Sequence, residues 1–136
     1  MLNLNTTGFS IFRYPYSLLH EPICDAGLPM PVAPLADLAC MKLIAVNQRG
    51  ACKDFIDLKF IMEHERILLS FLLQAVGRKY NVGEEMFFQL KKSLVYFDDA
   101  ERDLNVNMFA PKSGKFERLS PGEWLKTKQF FYGILG

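Results

Sequence analysis

Charge of one sign, cysteine and long apolar runs are all scarce in this sequence, and each shortage removes a class of function. Sixteen basic residues face fifteen acidic ones, for a net charge of +1. The chain as a whole therefore has no electrostatic pull toward nucleic acid, although a local basic patch is compatible with that balance. Its three cysteines, Cys24, Cys40 and Cys52, form no CxxC pair and have no neighbouring histidine. An odd, widely spaced set of this kind argues against a disulfide framework and against a zinc site, and leaves reduced thiols as the expectation. No window approaches the roughly 18 consecutive apolar residues of a membrane helix. Met1-Leu2-Asn3-Leu4-Asn5 has neither the basic start nor the apolar run of a signal peptide. A cytoplasmic protein without a membrane partner is expected.

Apolar residues, by contrast, make up 50% of the chain and aromatic ones 13%, enough to build a packed core in a chain of this length. Residues 8–14, Gly-Phe-Ser-Ile-Phe-Arg-Tyr, are aromatic and β-branched and predict a strand that Pro15 ends. Five prolines between Pro15 and Pro34 exclude helix there. Short extended pieces are expected near 21–25 and 28–32.

Beyond Pro34 the apolar spacing becomes helical. Leu35, Leu38, Met41 and Ala45, with Ala39, Leu43 and Val46, form a wide stripe that predicts a helix over 35–48, stopped at Arg49-Gly50. Further helices are expected over about 53–64, 68–80 and 84–97, the last with Phe87, Leu90, Leu94 and Phe97 on one face. Ser120-Pro121-Gly122-Glu123 has the pattern of a capping box and predicts a final helix to about Ile134. The fold class is thus α+β, a short strand region followed by a mainly helical bundle of about five helices. A strand at 9–14 with no preceding neighbour leaves an open edge, and this edge is the expected place for self-association or a partner.

The residues with chemical interest lie at the junction of the first two helices. Lys42 falls among apolar positions, and Arg49 follows seven residues later on nearly the same side. Asp54 and Asp57 are three apart and share one face of the next helix, with Lys53 and Asp57 spaced for an i,i+4 pair. Two readings stay open. One is a phosphate-handling corner, in which Lys42 neutralises a nucleotide phosphate and an aspartate orients it. The other, which spacing alone favours, is an ion-pair cluster that locks a helix hairpin. The acidic run Asp99-Ala100-Glu101 reads as a solvated helix end. His20 and His64 have no catalytic context. Lys112, Lys115, Arg118, Lys126 and Lys128 make the C-terminal region mildly basic.

The run PLADLACMKLIAVNQRGACKDFIDLKFIM resembles a segment of the AbiEii-type nucleotidyltransferase toxins, in which a Met-Lys-Leu helix leads through an arginine to an Asp-x-x-Asp-Leu helix. FSIFRYPYSLL resembles the strand and Tyr-Pro-Tyr turn before it, and LKKSLVYFDDAERD a later helix. The resemblance implies that Lys42 and Asp57 are the catalytic positions and that Arg49 and Asp54 accompany them in nucleotide binding. It also implies a partial nucleotidyltransferase fold, with 1–34 the strand and Pro-rich remnant of its core and 35–136 the helical part, in one compact domain. A cognate antitoxin is the partner it suggests, and tRNA an acceptor.

Nucleotidyltransferases of this fold carry a Gly-Ser or Gly-Thr turn followed by an Asp-x-Asp pair that holds the metal. Neither pattern occurs here, so no metal ligands are expected in this chain. Because phosphoryl transfer depends on positioning and metal-assisted charge neutralisation, the expectation is a truncated or degenerate member, inactive alone and acting as a binding or regulatory module. The alternative is a nucleotidyltransferase whose site an upstream segment or a separate chain completes, with Mg2+ and an NTP then bound.

Overall fold

The computed structural model describes residues 2–4, 7–9, 13–25 and 27–136. Two short strands, β1 (Leu2–Leu4) and β2 (Thr7–Phe9), pair antiparallel with Leu2 opposite Phe9. The expected strand at 8–14 is therefore found only in part. Gly8 and Phe9 belong to β2, positions 10–12 lie outside the described residues, and Arg13 and Tyr14 are not in a strand. Nor is β2 without a neighbour, because Leu2–Leu4 is close enough in sequence to fold back on it and take up its hydrogen bonds along one edge. In the Pro-rich stretch, the two expected extended pieces meet at a single antiparallel bridge. There Ile23 N–H donates to Val32 O at 2.7 Å and Val32 N–H to Ile23 O at 2.8 Å.

Five α-helices follow among the described residues: α1 (Leu35–Gln48), α2 (Cys52–Glu65), α3 (Leu69–Tyr80), α4 (Glu84–Ser93) and α5 (Pro121–Leu135). Helix α1 is the centre of the bundle, packed by α2, α3 and α4, and α5 covers the far side of α2. Leu43, Phe55, Leu58, Leu72, Val76, Leu90, Leu94 and Phe131 fill the space between them, all with less than 2% of their surface exposed or close to it. Burial at this density is the main source of helix stability, since none of these segments is long enough to hold as an isolated helix. Cys40 and Cys52 belong to this core and Cys24 is exposed, all three as thiols; burial pushes the two core thiols up to about 11.

The helix ends follow local chemistry. Ser120 Oγ accepts the Glu123 N–H at 3.1 Å and Pro121 occupies the first helical position. Only half of the expected capping box forms, because the Glu123 carboxylate turns to Lys126 instead, at 3.4 Å. Helix α4 ends at Ser93, short of the expected Phe97. The chain breaks into turns there, which let Phe97 swing into the core against Phe55 and Trp124 at centroid distances of 5.1 and 5.7 Å. A single 3-10 turn, Ala100–Arg102, follows. It leads to a hairpin that helical spacing could not announce: β3 (Asn107–Ala110) and β4 (Lys115–Arg118), with Phe109 opposite Phe116 and Gly114 at φ +68° in the connecting turn. No helix among the described residues is long and apolar enough to cross a membrane.

Candidate functional site

The turn between α1 and α2 is three residues long, and each has a defined task. Arg49 caps α1, Gly50 takes the left-handed conformation at φ +59°, and Ala51 opens α2. A Cβ at Gly50 would approach Val46 O to 3.3 Å as well as straining the backbone, so a larger residue would splay the hairpin. This tight reversal brings the second half of α1 against the start of α2, and with it Lys42, Arg49, Asp54 and Asp57 into one corner.

Asp54 is the buried member. It lies in the first turn of α2, where the helix N-terminus favours a carboxylate. Arg49 grips it with two hydrogen bonds, Nε donating to Oδ2 at 2.6 Å and Nη2 to Oδ1 at 2.7 Å. This fork geometry is the strongest form of such a pair. Lys42 Nζ stands 3.5 Å from Asp54 Oδ1 and 2.7 Å from Asp57 Oδ2. Burial alone would raise the Asp54 carboxyl. The hydrogen-bonded Arg49 guanidinium, with Lys42 beside it, holds it below the usual carboxylate range, and Arg49 is raised in return. The i,i+4 pair expected between Lys53 and Asp57 is absent from the ion pairs of the described residues, because Asp57 has turned to Lys42 across the hairpin.

The depressed Asp54 carboxyl sets a pH dependence. A group whose folded pKa lies below its unfolded value contributes stability that is complete above about pH 4 and is lost as pH falls through the folded value. The urea midpoint of the wild type should therefore fall more steeply below pH 4 than that of Asp54→Asn, each scaled to its own value at pH 6. Asp37, also depressed, is present in both proteins and cancels. Superimposable acid limbs would remove the assigned role of the Arg49 fork.

The third stretch singled out in the sequence also arrives here. Asp99 lies beside the α1–α2 turn, its Cβ 3.6 Å from where a side chain at Gly50 would begin. It is half-exposed and pairs with Arg102 at 3.4 Å, and Glu101 pairs with Lys128 at 3.2 Å. Among the described residues no three His, Cys, Asp or Glu side chains stand together as a metal would need. Both oxygens of Asp54 are engaged by cations, as is Asp57, so this corner does not fit a divalent ion.

The spacing of charges missed one polar cluster. Lys79 and Asp37 pair at 2.8 Å with both side chains fully buried, and Lys79 Nζ also donates to Ser17 O at 2.9 Å. Asp37 Oδ1 accepts the Leu19 N–H at 2.8 Å. The cluster ties the Pro-rich segment to α1 and α3, away from the Lys42 corner.

Comparison with known proteins agrees with the motif order. The family described as nucleotidyl transferase AbiEii toxin, type IV toxin–antitoxin system, matches residues 9–129. An uncharacterized protein of Aquifex aeolicus (strain VF5) is 37% identical over 128 residues, which cover 94% of this chain and 55% of that protein. The chain thus spans about half the length of this curated relative. No solved structure matches it.

Proposed function

The chain belongs to the AbiEii nucleotidyl transferase toxin family, and on that premise we propose that the Lys42–Asp57 pair is the nucleotide-contacting part of a nucleotidyl-transfer site. One observation carries this reading. Asp54 is already satisfied by the two-pronged Arg49 contact, so Lys42 is not needed to neutralise it. Lys42 and Asp57 instead stand half-exposed at the rim, with 26% and 34% of their side chains open to solvent. A pair this far open to solvent is held less tightly than the buried fork beside it, so an incoming phosphate can draw the ammonium from Asp57. Lys42 then neutralises phosphate charge while Asp57 holds the ammonium in position. The Arg49–Asp54 fork fixes the hairpin on which both sit.

These residues supply positioning and charge but no metal ligands. On this reading the chain binds nucleotide without completing transfer alone, and catalysis requires carboxylates from another segment or chain. An antitoxin is the protein partner that the reading implies, with tRNA as an acceptor for the completed site.

The test is a titration of ATP, GTP, CTP and UTP with magnesium against the purified chain and Lys42→Ala. The expected result is binding to the wild type that falls at least tenfold in Lys42→Ala, at unchanged melting temperature. Equal affinity in the two proteins, together with a lowered melting temperature of Lys42→Ala, would identify the corner as a structural ion-pair cluster.

A further inference from the structure

Asp57 borders more than the Lys42 corner. It also lines an adjoining cleft of about 270 Å³, bounded by α2, the β3–β4 hairpin and the N-terminal half of α5. Three phenylalanines face this space: Phe60, one turn beyond Asp57, and the cross-strand pair Phe109 and Phe116, whose ring centroids are 5.8 Å apart. They are 57%, 50% and 74% exposed. Three large aromatic rings left open around one small cavity are costly in water unless something covers them.

We infer that this cleft is the seat of the nucleobase of a mononucleotide whose phosphates are held at Lys42. The inference rests on the nucleotide-binding reading above and names the subsite that reading lacks. Size favours it, since the cavity is just below the usual range for small-molecule sites and suits one planar heterocycle with its sugar, not a docked helix. Charge favours it as well. The lining contains Lys53, Lys59, Asp57, Glu63 and Glu123, two cations against three anions, an environment that does not draw phosphate inward. The neutral ring therefore enters the cleft and the anionic end stays outside, with Asp57 at the boundary between them. Exposed aromatic faces bind bases of any identity by stacking, and the exposed amide side chain of Asn107 at the cleft edge offers both a donor and an acceptor to the base edge.

The test compares three probes by amide NMR and calorimetry on the whole chain: a nucleoside without phosphate, the matching nucleoside triphosphate, and inorganic tripolyphosphate. The variants are Phe60→Ala and Phe116→Ala, both at exposed positions. The nucleoside should shift amide signals in 56–60, 106–109 and 115–118. Each variant should weaken triphosphate binding roughly tenfold by loss of stacking and leave tripolyphosphate affinity unchanged. If the triphosphate and tripolyphosphate bind alike and neither variant changes them, the base subsite is wrong while the Lys42 reading stands. Loss of tripolyphosphate binding in Lys42→Ala confirms which of the two has survived. If no probe binds the wild type, both fail. Binding of a short oligoribonucleotide in the cleft without binding of the nucleoside or the triphosphate overturns the mononucleotide assignment.

Discussion

Lys79→Met should cost about 3–5 kcal/mol of folding free energy, since it leaves a buried carboxylate without its cation. Both side chains of the Lys79–Asp37 pair are fully buried, so water cannot replace the lost partner. Asp37 Oδ1 keeps the Leu19 N–H, but Oδ2 has no hydrogen-bond partner among the described residues even in the intact protein. Nothing is in reserve to take up the charge. Methionine preserves the chain length and lies against the Tyr14 and Tyr80 rings that the ammonium now approaches at 5.3 and 5.9 Å, so the deficit reports charge and not volume. Urea unfolding at pH 7 measures it. The deficit should shrink at pH 4.5, because without Lys79 burial raises the Asp37 carboxyl and lets it become neutral. Adding Asp37→Asn to Lys79→Met should return part of the loss for the same reason. A cost below about 1 kcal/mol at pH 7 would mean that the pair is not desolvated as described.

The same pair marks where reading the sequence stops. Asp37 looks like an ordinary first-turn acid and Lys79 like an ordinary last-turn base, each complementing its own helix. Their partnership spans 42 residues, and no local period records it. Elements whose burial repeats at the helical period were legible, and α1 falls on its expected limits of 35–48. Where a tertiary contact overrides that period, legibility fails. Phe97 sits on the helical stripe, yet α4 ends before it because the ring has a better position against Phe55 and Trp124.

The β3–β4 hairpin was illegible for another reason. Its strands are four residues each; β3 alternates only between exposed and half-buried positions and β4 is exposed throughout, so neither presents a fully buried face. A Pro-Lys-Ser-Gly turn between two phenylalanines was the available signal. The Lys42 corner was legible as a set of residues, because a three-residue turn leaves few ways to arrange two helices. Its internal pairing was legible in outline, two cations of one helix facing two carboxylates of the next across the turn. The added Lys53 to Asp57 pair was the part that failed, because the hairpin brings Lys42 within 2.7 Å of that carboxylate.

Phe55→Ala should cost about 3–5 kcal/mol, the range for removing a fully buried aromatic ring from a packed core. Phe55 is wholly buried and touches the rings of Phe97, Trp124 and Phe131 at centroid distances of 5.1, 6.1 and 5.5 Å. The contacts to Trp124 and Phe131 are edge-to-face and the one to Phe97 is tilted, and all three add to the transfer term. Its place in the chain gives the loss a second consequence. Phe55 immediately follows Asp54 and is the anchor that sets the rotation of α2, which in turn directs Asp54 to Arg49 and Asp57 to Lys42. A cavity at Phe55 should therefore weaken nucleotide binding under conditions where the variant remains folded, while Lys42 and Asp57 are themselves unchanged. For stability alone, Phe60→Ala is the control on the same helix. That ring is 57% exposed, so its removal should alter stability by no more than about 0.5 kcal/mol. Denaturant unfolding separates the two. A Phe55→Ala deficit near that of Phe60→Ala would contradict the packing of α2 against α5. A full deficit with undiminished nucleotide affinity would show that the corner keeps its geometry without the core behind it.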